Sequence, residues 1–258
     1  MLNIVVPMAG LGSRFTEAGY QDPKPLIPVH GIPMIEVVIN NLRPRTDHRF
    51  IFICQQQHDR QYGIKSFLKA LEPGCDVICL DGLTEGAACT VLTAKQLINT
   101  PHPLMIANCD QWVNQSIDHY LTEFDTTHYA GFIMTMRASA TKWSYVKRDL
   151  TGRVCAVVEK QVVSDEATVG IYNFAAGQDF VSAAEAMIEA DIRVNNEFYV
   201  APTFTQLIAR GKEIETLSVG TDLDGMYGLG TPADLQRFLT CGFESRLHEE
   251  RRTARRAA

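Results

Sequence analysis

The chain has 258 residues, of which 46% are hydrophobic, and a formal net charge of −6 at neutral pH. This size and composition suit one globular α/β domain, and the negative charge argues against a nucleic-acid-binding surface. No apolar run approaches the roughly 20 residues of a membrane span, and residues 1–3 lack the basic region of a secretory signal, so we expect a cytoplasmic protein.

The first half of the chain alternates apolar strands with amphipathic helices. Strands are predicted near residues 2–7, 50–54, 77–80 and 104–108, and helices near 34–42, 60–71, 87–97 and 116–124. This βαβ order is typical of a parallel sheet with helices on both faces. In the second half, strands are predicted near 131–137, 154–159 and 169–174, and helices near 179–190 and 203–209. We therefore predict an α/β fold with a mixed, mostly parallel central sheet.

The domain organisation follows from the absence of linkers and repeats in the sequence. No segment rich in Gly, Pro or Ser interrupts residues 1–245, so we expect one continuous domain with halves of about 1–128 and 129–245. Residues 246–258 form a basic tail with five arginines and two glutamates. We expect a fraying helix end or a disordered terminus there, and binding to a membrane or polymer is the weaker alternative.

A glycine turn follows the first predicted strand. Residues 8–14 have the sequence MAGLGSR, and the sequence PKPL around Lys24 comes about ten residues later. Gly10 and Gly12 are expected to take positive φ and to let successive backbone N–H groups converge on an anion. Arg14 and Lys24 supply the matching positive charge. The turn therefore predicts a phosphate site, although a tight connection without a ligand has the same pattern.

Two common phosphate-binding patterns do not match this turn. Phe15 stands where the dinucleotide-binding fingerprint needs its third glycine. Lys24 lies outside the glycine cluster and is followed by proline, which excludes the Walker loop. Because the third glycine is absent, an NAD-dependent reductase is the weakest interpretation.

The combination of Gly-x-Gly-x-Arg with Pro-Lys-Pro-Leu resembles the signature of the sugar-phosphate nucleotidyltransferases, the pyrophosphorylases. The resemblance implies their GT-A-like, Rossmann-like fold. It is strongest for the small single-domain members that serve bacterial capsule and surface polysaccharide synthesis, and these include cytidylyltransferases.

Five later segments resemble motifs of the same family and occur in the family's order within residues 4–199. They are Thr84-Glu85-Gly86-Ala87 before a helix, Asp110 after a strand, Glu159-Lys160 after another strand, Gly170 within a strand, and Asn196-Glu197. Each alone has an ordinary explanation, such as a helix start, a capping residue or a solvated ion pair. Their combined order favours one shared site.

The resemblance implies a role for each of these residues. Arg14 and Lys24 would be catalytic, and Asp110 would hold Mg²⁺, a hard cation that prefers oxygen ligands. The nucleotide-binding residues would be Met8, Ala9, Gly10, Leu11, Gly12, Ser13, Thr84, Glu85, Gly86 and Ala87. The acceptor-binding residues would be Glu159, Lys160, Gly170, Asn196 and Glu197. Lys142-Trp143 is a further acceptor-side candidate, and core packing of Trp143 is its alternative.

One motif of the family is incomplete. Many members carry a second metal-binding aspartate near the C-terminus, but Gly228 stands at its place in the sequence MYGLGT of residues 226–231. Asp222 and Asp224 are candidates for a shifted ligand, and the spacing does not decide between them. The chain also lacks the β-helix repeats that some pyrophosphorylases append, so no added acyltransferase activity is expected.

The implied reaction transfers a nucleoside monophosphate from an NTP, with CTP or UTP favoured, to a phosphorylated acceptor such as a sugar 1-phosphate, and releases pyrophosphate. Non-sugar acceptors such as phosphocholine or phosphoglutamine stay open. So do two different functions, those of a GT-A glycosyltransferase and of a catalytically weak nucleotide-binding regulatory protein. Residues 108–110, Asn-Cys-Asp, hold only half of the Asp-x-Asp motif of those glycosyltransferases. The expected partners are the two small substrates, and a homo-oligomer stays open.

Overall fold

The computed structural model describes residues 1–125 and 128–257. Residues 126 and 127, beside the expected boundary between the halves, and Ala258, the last residue of the basic tail, lie outside this range. In chain order the elements are β1 (Leu2–Pro7), α1 (Ser13–Glu17), a 3-10 turn (Lys24–Leu26), β2 (Pro28–Val29), β3 (Ile32–Pro33), α2 (Met34–Leu42), β4 (His48–Gln55), α3 (Gln56–Tyr62), α4 (Ile64–Leu71), β5 (Asp76–Leu80), α5 (Ala87–Leu92), α6 (Lys95–Ile98), β6 (Leu104–Ala107), β7 (Gln111–Val113), α7 (Ile117–Asp125), β8 (Gly131–Arg137), β9 (Ser144–Arg148), β10 (Val154–Glu159), β11 (Glu166–Phe174), α8 (Gly177–Glu189), α9 (Thr203–Ala209), β12 (Ile214–Asp222), β13 (Gly225–Gly228), α10 (Pro232–Leu239) and α11 (Glu244–Ala257).

One large mixed sheet organises these elements. Its main path runs β5-β4-β1-β6-β11-β8-β12-β13-β7, and β9 joins β10 to β11 beside this path. Seven of the nine strands on the path point in the same direction, and only β11 and β7 oppose them. The prediction of a mixed, mostly parallel sheet is confirmed.

Helices cover both faces of the sheet, as predicted. Along β1, Ile4 and Val6 join an apolar cluster with side chains of α2, α4 and α7, whereas Val5 joins a second cluster with α5, α6, α8 and α9. Successive side chains of a strand point to opposite faces, so an uninterrupted apolar run such as β1 is buried on both sides. No helix within the described ranges is both long and apolar enough to span a membrane.

Two helices predicted as continuous are each divided in the structure. The helix is interrupted between α3 and α4 at Gly63, whose left-handed φ of +64° ends α3. The predicted helix 87–97 is likewise divided into α5 and α6, because the chain turns at Thr93 and Ala94. The sequence pattern did not predict the remaining elements, which are α1, β2, β3, β7, β9, β12, β13 and α10.

The basic tail forms the greater part of α11, which packs against α2. The carboxylate of Glu36, which is 1% exposed, accepts hydrogen bonds from Arg251 at 2.7 Å and Arg255 at 3.4 Å. Arg246 lies over the ring of the buried Trp112, 4.7 Å from its centroid. A third apolar cluster, built around Trp112 and Phe238, lies beneath α10 and α11. Arginines of the tail are thus tied to buried groups of the domain.

Candidate active site

Two adjoining cavities open where β1 and β6 end. Their volumes are about 470 Å³ for the first and about 590 Å³ for the second. The carboxyl ends of parallel strands are where open α/β sheets collect ligands. The cavities share part of their walls, formed by Lys24, Ala87, Asn108, Asp110 and Tyr199.

The glycine loop, residues 8–14, forms one wall of the first cavity. Gly12 has a φ of +65° and caps α1, whereas Gly10 is not left-handed, so the expected positive φ is wrong for Gly10. A Cβ on Gly10 would meet no atom within 4 Å, so at this position the loop faces open space. A Cβ on Gly12 would lie 3.0 Å from the Cβ of Lys24. Glycine at position 12 therefore lets Lys24 approach the loop closely.

Lys24 and Asp110 form an ion pair in the shared wall. The Nζ atom of Lys24 donates to Oδ2 of Asp110, and the two side chains are 18% and 24% exposed. Burial is the largest single influence and lowers the pKa of Lys24, but Asp110 and Cys109 together outweigh it, so the net shift is upward. The lysine therefore stays charged at neutral pH.

A second loop, residues 84–87, lies against the segment 197–199 across the first cavity. The backbone N–H of Phe198 donates to the carbonyl of Glu85 at 2.8 Å, and that of Ala88 donates to the carbonyl of Phe198 at 3.0 Å. Gly86 has a φ of +129°, and a Cβ there would lie 2.4 Å from the Phe198 carbonyl oxygen. Only glycine permits this approach, which brings Glu197 into the wall of the first cavity.

The second cavity is lined by the end of β10. Glu159 is buried and accepts a hydrogen bond from Ser144, and burial raises the pKa of its carboxyl group. Lys160 has a φ of +53°, an uncommon conformation for a residue with a side chain. Its Nζ atom contacts the hydroxyl of Tyr199 and lies 4.4 Å from the centre of that ring. Lys160 thus combines an uncommon backbone conformation with an ammonium group that lies in the second cavity.

Gly170 of β11 supports the loop that carries Asp110. Its carbonyl accepts from the backbone N–H of Asn108 at 2.9 Å and from Nε2 of Gln111 at 3.0 Å. With a φ of +84°, a Cβ at this position would lie 2.2 Å from Nδ2 of Asn108. Glycine is therefore required for β11 to approach this loop.

The structure brings most of the residues predicted from sequence to the two cavities. Those lining the first are Met8, Ala9, Gly10, Leu11, Gly12, Lys24, Thr84, Gly86, Ala87, Asp110 and Glu197. Those lining the second are Arg14, Lys24, Ala87, Asp110, Glu159, Lys160 and Gly170. Ser13, Glu85 and Asn196 line neither cavity.

The region of the incomplete motif also reaches the second cavity. Gly228 and Gly230 line it beside Asp234, whereas Asp222 and Asp224 line neither cavity. Asp234 is 8% exposed and is bound by the Thr231 hydroxyl at 2.7 Å, by Arg237 and by Lys142 at 3.5 Å. Hydrogen bonds from Thr231 and Arg237 help to hold the pKa of Asp234 down, although burial acts in the opposite direction.

The sequence analysis missed several residues of these walls, including Asn108, Tyr199 and Asp234. For Asn108 a signal existed, because the residue lies at the end of a predicted strand, where parallel sheets place their sites. Tyr199 follows Glu197 by two positions and was within reach of the same motif. Asp234 lies on α10, which the sequence analysis did not predict.

Comparison with known proteins agrees with this architecture. The sequence model of the nucleotidyl transferase family matches residues 4–213. The chain therefore belongs to that family and is a nucleotidyltransferase, which confirms the resemblance stated above at the level of the family. No curated protein matches the chain.

Three solved structures share the fold. A nucleoside-diphosphate-sugar pyrophosphorylase from Vibrio cholerae is 24% identical, with a TM-score of 0.73 over 92% of this chain and 99% of its own. A candidate glucose-1-phosphate thymidylyltransferase from Bacillus anthracis, in complex with sucrose, is 18% identical, with a TM-score of 0.72 over 93% and 94%. A UDP-glucose pyrophosphorylase complexed with UDP-glucose is 14% identical, with a TM-score of 0.75 over 95% and 100%. The central sheet is thus that of the Rossmann-like nucleotidyltransferases.

Proposed function

We propose that the protein transfers a nucleoside monophosphate from an NTP to a phosphorylated acceptor, with release of pyrophosphate. The observation that carries this proposal is the pair of adjoining cavities, which share the Lys24–Asp110 ion pair. The first has the glycine loop and the room for a nucleotide, and the second holds Lys160 for the phosphate of the acceptor. Two phosphorylated substrates would meet at the shared wall.

The chemistry requires positioning and charge neutralisation rather than a covalent nucleophile. A phosphate oxygen of the acceptor attacks the α-phosphorus of the NTP in line. The new P–O bond forms as the bond from the α-phosphorus to its bridging oxygen breaks, and the electron pair leaves with pyrophosphate. Backbone N–H groups of the glycine loop would hold the triphosphate, and Lys24 would offset charge at the α-phosphate. Arg14 lines the second cavity, and its charge acts on Lys24 and Tyr199 of the shared wall, so it would neutralise phosphate charge where the two substrates meet. Lys160 would hold the acceptor phosphate.

The residues in the shared wall suit Mg²⁺. Asp110 offers hard carboxylate oxygens, and Mg²⁺ is commonly bound through one or two carboxylates together with substrate phosphates. Within the described residues no group of three or more His, Cys, Asp or Glu side chains is arranged to hold a metal by itself. When bound, the ion would neutralise phosphate charge, and Asp110 would be the residue that holds it.

The aromatic side chains of the second cavity favour an anionic, hydroxylated acceptor. Lys142 lies 4.4 Å from the ring centre of Trp143, and Lys160 lies at the same distance from the ring of Tyr199. A quaternary ammonium needs such ring faces for cation–π contact. Here Lys142 and Lys160 lie over these rings and would oppose the quaternary ammonium of phosphocholine. We therefore propose a sugar 1-phosphate acceptor, in line with the sugar nucleotides named for the structural relatives.

The remaining assignments complete the proposal. CTP and UTP are the nucleotides to test first, and the product would be a precursor of a capsule or surface polysaccharide. Glu159 and Gly170 would contact the acceptor sugar. Glu197, which the resemblance assigns to the acceptor, lines the first cavity and not the second, so its carboxylate would act on hydroxyl groups where the two substrates meet.

The direct test is a pyrophosphate-release screen of five NTPs against sugar 1-phosphates, phosphocholine and phosphoglutamine, with Mg²⁺. We expect release with a sugar 1-phosphate and none with phosphocholine. Nucleotide binding without release for any acceptor would instead support a regulatory nucleotide-binding protein. Release with phosphocholine would refute the argument from the occupied ring faces.

Loss of Lys24 from the shared wall, or of Arg14 beside it in the second cavity, should slow the reaction strongly. We expect Arg14→Ala and Lys24→Ala each to lower kcat/KM by about a hundredfold or more, because one preorganised contact to developing charge typically contributes ~2.7–4 kcal/mol. Lys65→Ala, which removes an exposed cation of α4 outside both cavities, is the matched control. Near-normal turnover in the Arg14 or Lys24 variant would remove that residue from the mechanism.

Asp110→Asn should lose most activity, and a chelator should abolish the activity of the unaltered protein, because a neutral amide is a poorer ligand for a hard cation. Steady-state rates at several Mg²⁺ concentrations test this. Asp222→Asn and Asp224→Asn serve as comparison variants, since both residues lie outside the cavities. Metal-independent turnover, or an equal loss in either comparison variant, would contradict the assignment of Asp110.

Lys160→Ala should raise KM for the acceptor, lower kcat, or both, while the Kd for NTP measured without acceptor stays the same. The physical reason is that Lys160 lines only the second cavity. Lys147→Ala removes an exposed cation from the neighbouring strand β9 and is the matched control. Weaker NTP binding with an unchanged acceptor KM would mean that the two cavities are assigned the wrong way round.

A further inference from the structure

Gln55, the last residue of β4, connects two loops of the first cavity although it lines neither cavity. The side chain is buried, with 7% exposed. Its Nε2 atom donates to the carbonyl oxygen of Ala9 at 2.5 Å and to that of Gly82 at 3.0 Å. Ala9 belongs to the glycine loop, and Gly82 lies two residues before the loop 84–87. One nitrogen atom thus bonds to the glycine loop and to the segment that leads into the loop 84–87.

The position of β4 in the sheet explains why this contact is needed. The strand lies between β1 and β5, which lead into the two loops. The backbone pairing ends with the hydrogen bond from Met8 N–H to the Ile53 carbonyl, at 2.8 Å, and with the register pair Gln55 and Leu80. Beyond these points the backbone pairing with β4 has ended, and the side-chain amide of Gln55 connects the two loops instead.

A primary amide is well suited to this position. It offers two N–H donors on one nitrogen and carries no charge, so it satisfies two carbonyl groups at once. A glutamate carboxylate of the same size has no N–H donor. A methionine of similar length has no N–H donor either. Either substitution would remove both hydrogen bonds and with them the connection between the loops through Gln55. The hydrogen bond to the Ala9 carbonyl is buried, and an unpaired buried acceptor costs about 1–3 kcal/mol.

We propose that Gln55 is a positioning residue that sets the separation between the glycine loop and the loop 84–87. The inference rests on the proposed function, in which a single NTP occupies the first cavity and contacts both loops, with its phosphates at the glycine loop. A ligand held at two points gains affinity only when both points stand at the matching distance. Gln55 would therefore affect a ligand that spans both loops more than a ligand that occupies one.

The test compares two ligands, NTP and pyrophosphate, each with Mg²⁺. For Gln55→Met, and for Gln55→Ala as a second variant, we expect the Kd for NTP to rise about tenfold, which corresponds to ~1.4 kcal/mol. The Kd for pyrophosphate, which reaches only the glycine loop, should stay within about twofold, and the acceptor KM should not change. Gln57→Ala removes an exposed amide two residues away and is the matched control. Each variant is measured well below its own Tm.

Two results would overturn the inference. An unchanged Kd for NTP would show that Gln55 does not position the loops. An equal weakening of pyrophosphate would show damage to the glycine loop itself rather than a change in its distance from the second loop. Failure of the proposed function has a different outcome, because the unaltered protein would then bind NTP without releasing pyrophosphate, and the two Kd values would still decide the role of Gln55.

Discussion

The ion pair between Lys24 and Asp110 is the interaction on which the arrangement of the site depends. Lys24 begins the turn that follows α1, and Asp110 follows β6, so the contact joins parts of the chain that are 86 residues apart. Both side chains are largely withdrawn from water, and removal of one partner would leave the other charge poorly solvated. Because the pair lies in the wall common to both cavities, it presents an ammonium and a carboxylate to whatever occupies either side.

The antiparallel strand β11 explains why the second cavity adjoins the first. It pairs with β6 on one side and β8 on the other, so the chain of the second half runs directly beside Asp110. The Gly170 carbonyl binds Asn108 and Gln111, the residues that flank the Cys109-Asp110 dipeptide. The strand that supplies the second cavity thus also fixes the carboxylate of the shared wall. Reversal of one strand in an otherwise parallel region is what brings the two cavities together.

The sequence was most informative where local patterns decide the structure. The apolar run of β1 and the strand before Asp110 predicted the sheet, because buried parallel strands need apolar residues on both faces. The family resemblance, based on the order of the motifs, predicted most of the residues that line the two cavities. The sequence could not show contacts between distant segments. Examples are the hydrogen bonds of Gln55 to two loops and the position of Asp234 beside Gly228. Such contacts depend on strand order and on β12 and the four-residue β13, which the sequence pattern did not predict.

The glycine at position 228 is explained by its surroundings. A Cβ there would lie 3.6 Å from Cγ of Asp234, so an aspartate at 228 would bring a second carboxylate close to one that is already buried. Like charges at that distance disfavour each other. Both carboxylate oxygens of Asp234 already have partners, because Thr231 donates to Oδ2 and Lys142 and Arg237 bind Oδ1. In Asp110 the hydrogen bond from Lys24 goes to Oδ2. A cation held at Asp110 would therefore take its other ligands from phosphate oxygens and water, which makes its binding depend on the presence of the nucleotide.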